Sequence, residues 1–147
     1  MRLMMKIDPY TMGSGQFPSP VQEPAPDLDI DTGLMYCDQS ETLLSDLLRM
    51  FAERTPGILD NFRSAVAEGH FDEARRNVHS IKGIALTVGA KRLYELSSRY
   101  EHALKMQDFR EVPRMSRALD QAWTDLTGRI NSYLSQVRRP PAASPLP

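Results

Sequence analysis

The chain has 147 residues, with 18 Lys and Arg against 19 Asp and Glu for a net charge of −1, which is enough for one folded domain and too little for two. The charge balance excludes the diffuse positive field of a general nucleic-acid binder, and Cys37, the only cysteine, excludes an intramolecular disulfide or a cysteine-built zinc site and fits a reducing compartment. No apolar run approaches the roughly 20 residues of a membrane span, so the expectation is a soluble, cytoplasmic protein with no membrane contact.

All prolines except Pro56 and Pro113 lie before Asp27 or after Arg139. Residues 1–26 contain Gly13-Ser14-Gly15 and a Pro-rich run, have no helical or alternating period, and read as a flexible linker. Residues 138–147, opening on Arg138-Arg139-Pro140-Pro141, read as a Pro-rich disordered tail. The folded domain is expected over 27–137.

Within it every strong period is helical. Leu43, Leu44, Leu47, Leu48 and Phe51 form one apolar stripe, and Asp38 with Glu41 offers a capping pair, predicting a first helix over about 39 to 54. Thr55-Pro56 reads as a cap with a first-turn proline, and the restriction on the residue before proline predicts a break there. A second helix carries Ile58, Phe62, Ala65 and Val66 and stops at Gly69. The third is the most regular, with Phe71, Ala74, Val78, Ile81, Ala85 and Val88 repeating in steps of three and four. Gly89 marks a turn, Ala90 to Leu104 supply a fourth stripe, and a long fifth helix is expected from near Glu111, after a separate turn over 108–110, because Pro113 fits only an opening turn. Amphipathic helices with short connections bury their stripes against one another. The fold class is therefore all-α: an antiparallel up-and-down four-helix bundle, with the additional N-terminal helix capping one end.

Rotation by about 100° per residue from the Val78/Ile81 seam turns His79 toward solvent, sets Lys82 on the flank one turn on, and puts Gly83 almost opposite the core. Arg75 and Arg76 lie one turn earlier. A glycine in an exposed helix interior costs about 1 kcal/mol relative to alanine, so Gly83 suggests something passing close to the surface beside His79. Taken singly, these residues read as an ordinary solvated face, as His70 and His102 do. The combination of His79, Lys82 and Gly83 at i, i+3 and i+4 instead suits nucleophilic phosphoryl transfer. An imidazole, with an unperturbed pKa of about 6.5, is largely neutral and nucleophilic near pH 7, and adjacent cations favour that form. Lys82, with Arg75 or Arg76, would stabilise the transferring group. No second His or carboxylate stands at i+3 or i+4 from His79, so no metal site is expected there.

Residues 79–90, His-Ser-Ile-Lys-Gly followed five residues later by Gly89-Ala90, resemble the signature H-x-L-K-G…G-A of the histidine-containing phosphotransfer (Hpt) family. The similarity runs from about Asp29 to Leu134, and Asp29-Ile30-Asp31-Thr32-Gly33-Leu34 is similar to the lead-in of modules at the C-terminus of bacterial hybrid sensor histidine kinases. The resemblance implies a phosphocarrier rather than a self-sufficient enzyme. By the same resemblance His79 would accept a phosphoryl group from a receiver aspartyl phosphate and pass it to another response-regulator receiver, Lys82 would assist electrostatically, and Gly83 would leave clearance for docking. It implies no cofactor on this chain, the magnesium belonging to the receiver. Arg75, Arg76, Ile84 and Leu86 are candidate docking residues, and Ile84 and Leu86 are bulkier than the family's usual choices. His70 stands where an Asp is common, weakening that helix cap. Two other readings are open: a chemotaxis-kinase-type phosphorylated module, and a non-catalytic helical adaptor that binds a receiver.

Overall fold

The computed structural model describes residues 25–137; the tail over 138–147 and all but the last two residues of the linker over 1–26 lie outside that range. Five α-helices follow in order: α1 Ile30–Tyr36, α2 Glu41–Ala67, α3 Phe71–Val88, α4 Lys91–Lys105 and α5 Val112–Val137, with a single 3-10 turn Phe109–Glu111 before α5. Among the described residues there is no strand. Helices α2 to α5 pack with their neighbours in sequence, α2 also packs on α5, and the diagonal pairs stand farther apart across the core, which closes a four-helix bundle. The interior is filled by Leu44, Phe51, Phe62, Val78, Ile81, Leu93, Leu119, Leu126 and Ile130, each at most 1% exposed.

Two boundaries differ from the sequence reading. The helices expected over 39–54 and from Thr55 onward are one, α2, with Pro56 in its interior. A proline there removes a hydrogen bond and costs about 3 kcal/mol. The apolar stripe, however, runs through it without a phase change. Leu44, Leu48, Phe51, Leu59 and Phe62 are all buried on one face, each contributing roughly 1.5–3 kcal/mol, so the continuous face outweighs the local defect, and the exposed proline ring sits on the solvent side. The cap also moves: Ser40, not Asp38, accepts from the backbone N–H of Leu43 at 3.1 Å, while Asp38 and Gln39 take positive φ of 55° and 62° to turn the chain out of α1.

The capping role expected of the first long helix belongs to α1. It lies against α3 and touches α2, and it seals the end of the bundle where α3 gives way to α4. Gly33 is required there, because a Cβ would come within 2.6 Å of the Val88 carbonyl oxygen. Gly89 closes α3 in the left-handed region at φ 83°, and a side chain on it would run into the Asp29 carbonyl. The same lead-in straps the turn, with Asp29 N–H donating to Gly89 O at 2.8 Å and Arg92 N–H to Pro26 O at 3.0 Å. His70 opens α3 without a side-chain capping bond, in line with the weak cap expected where no Ser, Thr, Asp or Asn stands at that position.

Candidate functional site

The middle of α3 carries the residues singled out from the sequence. Val78, Ile81 and Ala85 face inward and are fully buried, which sends His79 outward with 67% of its side chain exposed. Gly83 is exposed one turn on, and a Cβ there would meet nothing within 4 Å, so no neighbour among the described residues demands a glycine. Leu86 follows two turns from His79 on nearly the same line and is 40% exposed. Ile84 is partly buried against the core and offers less surface than the sequence reading gave it. Arg76 is exposed and Arg75 half-buried. The structure gives neither an ion pair with Asp72 or Glu73; instead Arg75 lines a notch with Phe71, Leu104 and Phe109, where the two phenylalanine rings stack at 4.4 Å.

The residue that sequence reasoning missed is Glu101, on α4. One carboxylate oxygen, Oε2, lies 2.7 Å from His79 Nδ1, and the other, Oε1, lies 2.6 Å from Lys82 Nζ. Its side chain is only 16% exposed. Burial pushes its pKa up, but the hydrogen bonds from Lys82 and His79 outweigh that and hold it below the ordinary carboxylate value. A carboxylate that stays ionised can only accept hydrogen bonds, so the proton of the neutral ring belongs on Nδ1. Nε2 then carries the free lone pair, and it has no hydrogen-bond partner among the described residues. The imidazole is thus anchored by one nitrogen and presented by the other. Lys82, which the sequence placed on the flank one turn on, is 29% exposed and shares this carboxylate.

A signal for Glu101 was available. The turn at Gly89-Ala90 makes α3 and α4 an antiparallel hairpin, His79 lies ten residues before Gly89, and Glu101 lies eleven after Ala90. Equal rise on both helices brings the two level. No three His, Cys, Asp or Glu side chains gather into a metal-binding group among the described residues, and no described helix is long and apolar enough to cross a membrane.

Comparison with known proteins gives one family and two similar structures. The family model described as "Hpt domain" matches residues 46–139. The crystal structure of the HPT domain from a sensor hybrid histidine kinase of Shewanella is 20% identical, with a TM-score of 0.68 over 75% of this chain and 95% of that one. Histidine-containing phosphotransfer protein B (HptB) from Pseudomonas aeruginosa PAO1 is 19% identical, with a TM-score of 0.69 over 76% of this chain and 97% of that one. Among curated proteins no sequence matches.

Proposed function

The chain belongs to the Hpt family and is a histidine phosphotransfer intermediate of a phosphorelay, and from that premise we propose that His79 carries the phosphoryl group on Nε2. The observation that supports this is the exposed ring whose Nδ1 is held by Glu101 while Nε2 is open. In the forward step the Nε2 lone pair attacks the phosphorus of a receiver aspartyl phosphate. The N–P bond forms as the P–O bond to the aspartate breaks, and the carboxylate leaves with the bonding pair. The ring gains positive charge as this happens, and the Glu101 carboxylate at Nδ1 stabilises it. Transfer to a second receiver is the reverse reaction at a different aspartate.

Lys82 is close enough to act on both sides of the exchange: its ammonium has three donors, one bonded to Glu101, leaving others for a phosphoryl oxygen. Gly83 leaves the approach beside His79 uncovered, and Leu86, with the exposed part of Ile84 and the guanidiniums of Arg75 and Arg76, forms the docking surface around it. The reading makes the chain a phosphocarrier whose partner receivers supply the divalent cation and the second aspartate, and it places the domain in the cytoplasm with them and with a hybrid sensor kinase as donor.

The test is incubation with a receiver carrying labelled phosphate. Label is expected to move to the wild-type chain and to be lost in His79→Gln, whose melting temperature stays unchanged because the ring is exposed. Undiminished labelling of His79→Gln would sink the assignment.

A further inference from the structure

A second feature lies on the other flank of α4. Taking 100° per residue, Arg92, Glu95, Leu96 and Arg99 cluster around one direction, and Glu101 lies about 180° from Arg92. The first four residues line an open groove of about 670 Å³ between α4 and α5, so it faces away from the His79 side. Leu96 and Ala118 form an aliphatic floor, and Arg99, Arg114 and Arg117 stand on the walls.

The arginines are not equally occupied. Arg92 is bonded to Asp27 and Asp125 at 3.1 and 2.8 Å, and Arg99 to Glu111 at 2.7 Å. Arg114 and Arg117 have no carboxylate partner among the described residues. They are i and i+3 on α5, adjacent on one helical face. Two exposed like charges held side by side above an apolar floor repel each other, and neither gains an ion pair among the described residues. They complement two carboxylates one helical turn apart, with an aliphatic side chain between them to cover Leu96 and Ala118. A nucleic-acid strand fits poorly, because its unbroken row of phosphates would run past Glu95 on the opposite wall and leave the floor uncovered. An inorganic anion would also leave it uncovered.

We infer that the α4–α5 groove is a docking site for an acidic helical segment of a partner protein, separate from the phosphotransfer surface. A helix in this groove leaves His79 accessible. Its role is to tether: a partner held there raises the effective concentration of its receiver at His79 without competing for it.

The proposal is tested with the full chain and a capped 14-residue peptide built on alanine, with Glu at i and i+4 flanking Leu. Backbone amide shifts are expected at Leu96, Arg99 and Ala118. Affinity should fall at least tenfold in Arg114→Glu/Arg117→Glu, and also, more weakly, in Arg114→Gln/Arg117→Gln, while Arg49→Glu on α2 binds as wild type. Phosphoryl transfer from a receiver domain alone should stay within twofold when the peptide saturates. Four results would overturn it: equal binding to the Glu and Gln double variants, shifts centred on His79 and Leu86, the same groove shifts with inorganic phosphate or single-stranded DNA at the peptide's concentration, or self-association of the chain that the double variants abolish.

Discussion

Replacing Glu101 by Gln changes almost no volume and one charge, and the geometry says what that does. The carboxylate serves two donors at once, His79 Nδ1 at 2.7 Å and Lys82 Nζ at 2.6 Å, with one oxygen each. A glutamine amide has a single carbonyl oxygen. If it turns that oxygen to Nδ1, its NH2 confronts the Lys82 ammonium, donor against donor. If it turns the oxygen to Lys82, the NH2 faces Nδ1, and the ring must shift its proton to Nε2, which blocks the nucleophilic nitrogen. A charge-assisted hydrogen bond is worth about 1.5–3 kcal/mol. His79 is mostly exposed and solvent compensates part of the loss, so about 1–2 kcal/mol remains. At 1.36 kcal/mol per decade this predicts phosphoryl transfer roughly 5- to 30-fold slower. The assay is a single-turnover transfer from a phosphorylated receiver, run beside long-range proton–nitrogen NMR of the His79 ring to read the tautomer. A wild-type rate with the proton still on Nδ1 would refute the claim that Glu101 sets the reactive nitrogen.

Two further outcomes follow from the same geometry. Gly83→Leu adds a good helix former where a Cβ meets nothing, so the fold should gain about 0.8 kcal/mol while transfer from a receiver falls at least tenfold; Gly128→Leu, equally unobstructed on α5, should gain similar stability and leave transfer unchanged, and equal transfer in the two variants would remove the clearance role. Stability should also drop in acid. Lys91 and the Thr32 N–H hold Asp29 below its ordinary value, Arg92 does so for Asp125, and Arg110 brings Asp108 to about 2; for Glu101, burial opposes the shift but the Lys82 and His79 bonds prevail. Folded carboxylates then bind protons less readily than unfolded ones with ordinary values of 3.8 to 4.5, so the stabilisation is complete above about pH 4.5 and is lost as pH falls toward 2. Melting temperatures constant between pH 6 and 2.5, or rising toward acid, would contradict this.

What the sequence made legible follows from the range of the interactions involved. Helix α3 was readable to the residue because its seam, its Gly89 terminator and the exposure of His79 are all local consequences of one period. The break at Pro56 was misread because proline is a local signal, whereas the burial that overrides it comes from α3 and α5 lying along a stripe that continues through Leu59 and Phe62. The seven-residue α1 has too few apolar positions to announce itself. What makes it a helix in this place is the close contact of Gly33 with the Val88 carbonyl, 55 residues away. In the site the same division holds: His79, Lys82 and Gly83 share one helix and could be found by rotation about its axis, while Glu101 acts across a hairpin and could be found only by counting through the turn.

That count also explains why so much of the chain outside α3 is committed to the Gly89 turn. His79 sits ten residues from it, about 15 Å along the helix, and both of Glu101's bonds depend on α3 and α4 keeping one register over that distance. A slip of one residue would carry Glu101 about 1.5 Å along the axis and 100° around it, too far for either bond to survive. The register is fixed at the turn rather than at the site, by the left-handed Gly89, by the Asp29 and Arg92 backbone bonds that strap the lead-in across it, and by the Asp29–Lys91 pair at 3.0 Å. Beyond the Glu101 bond that anchors it, the exposed ring therefore needs no rigid surroundings of its own. Its surface can stay open to a docking receiver because the precision it requires is supplied three turns away, inside a sealed end of the bundle.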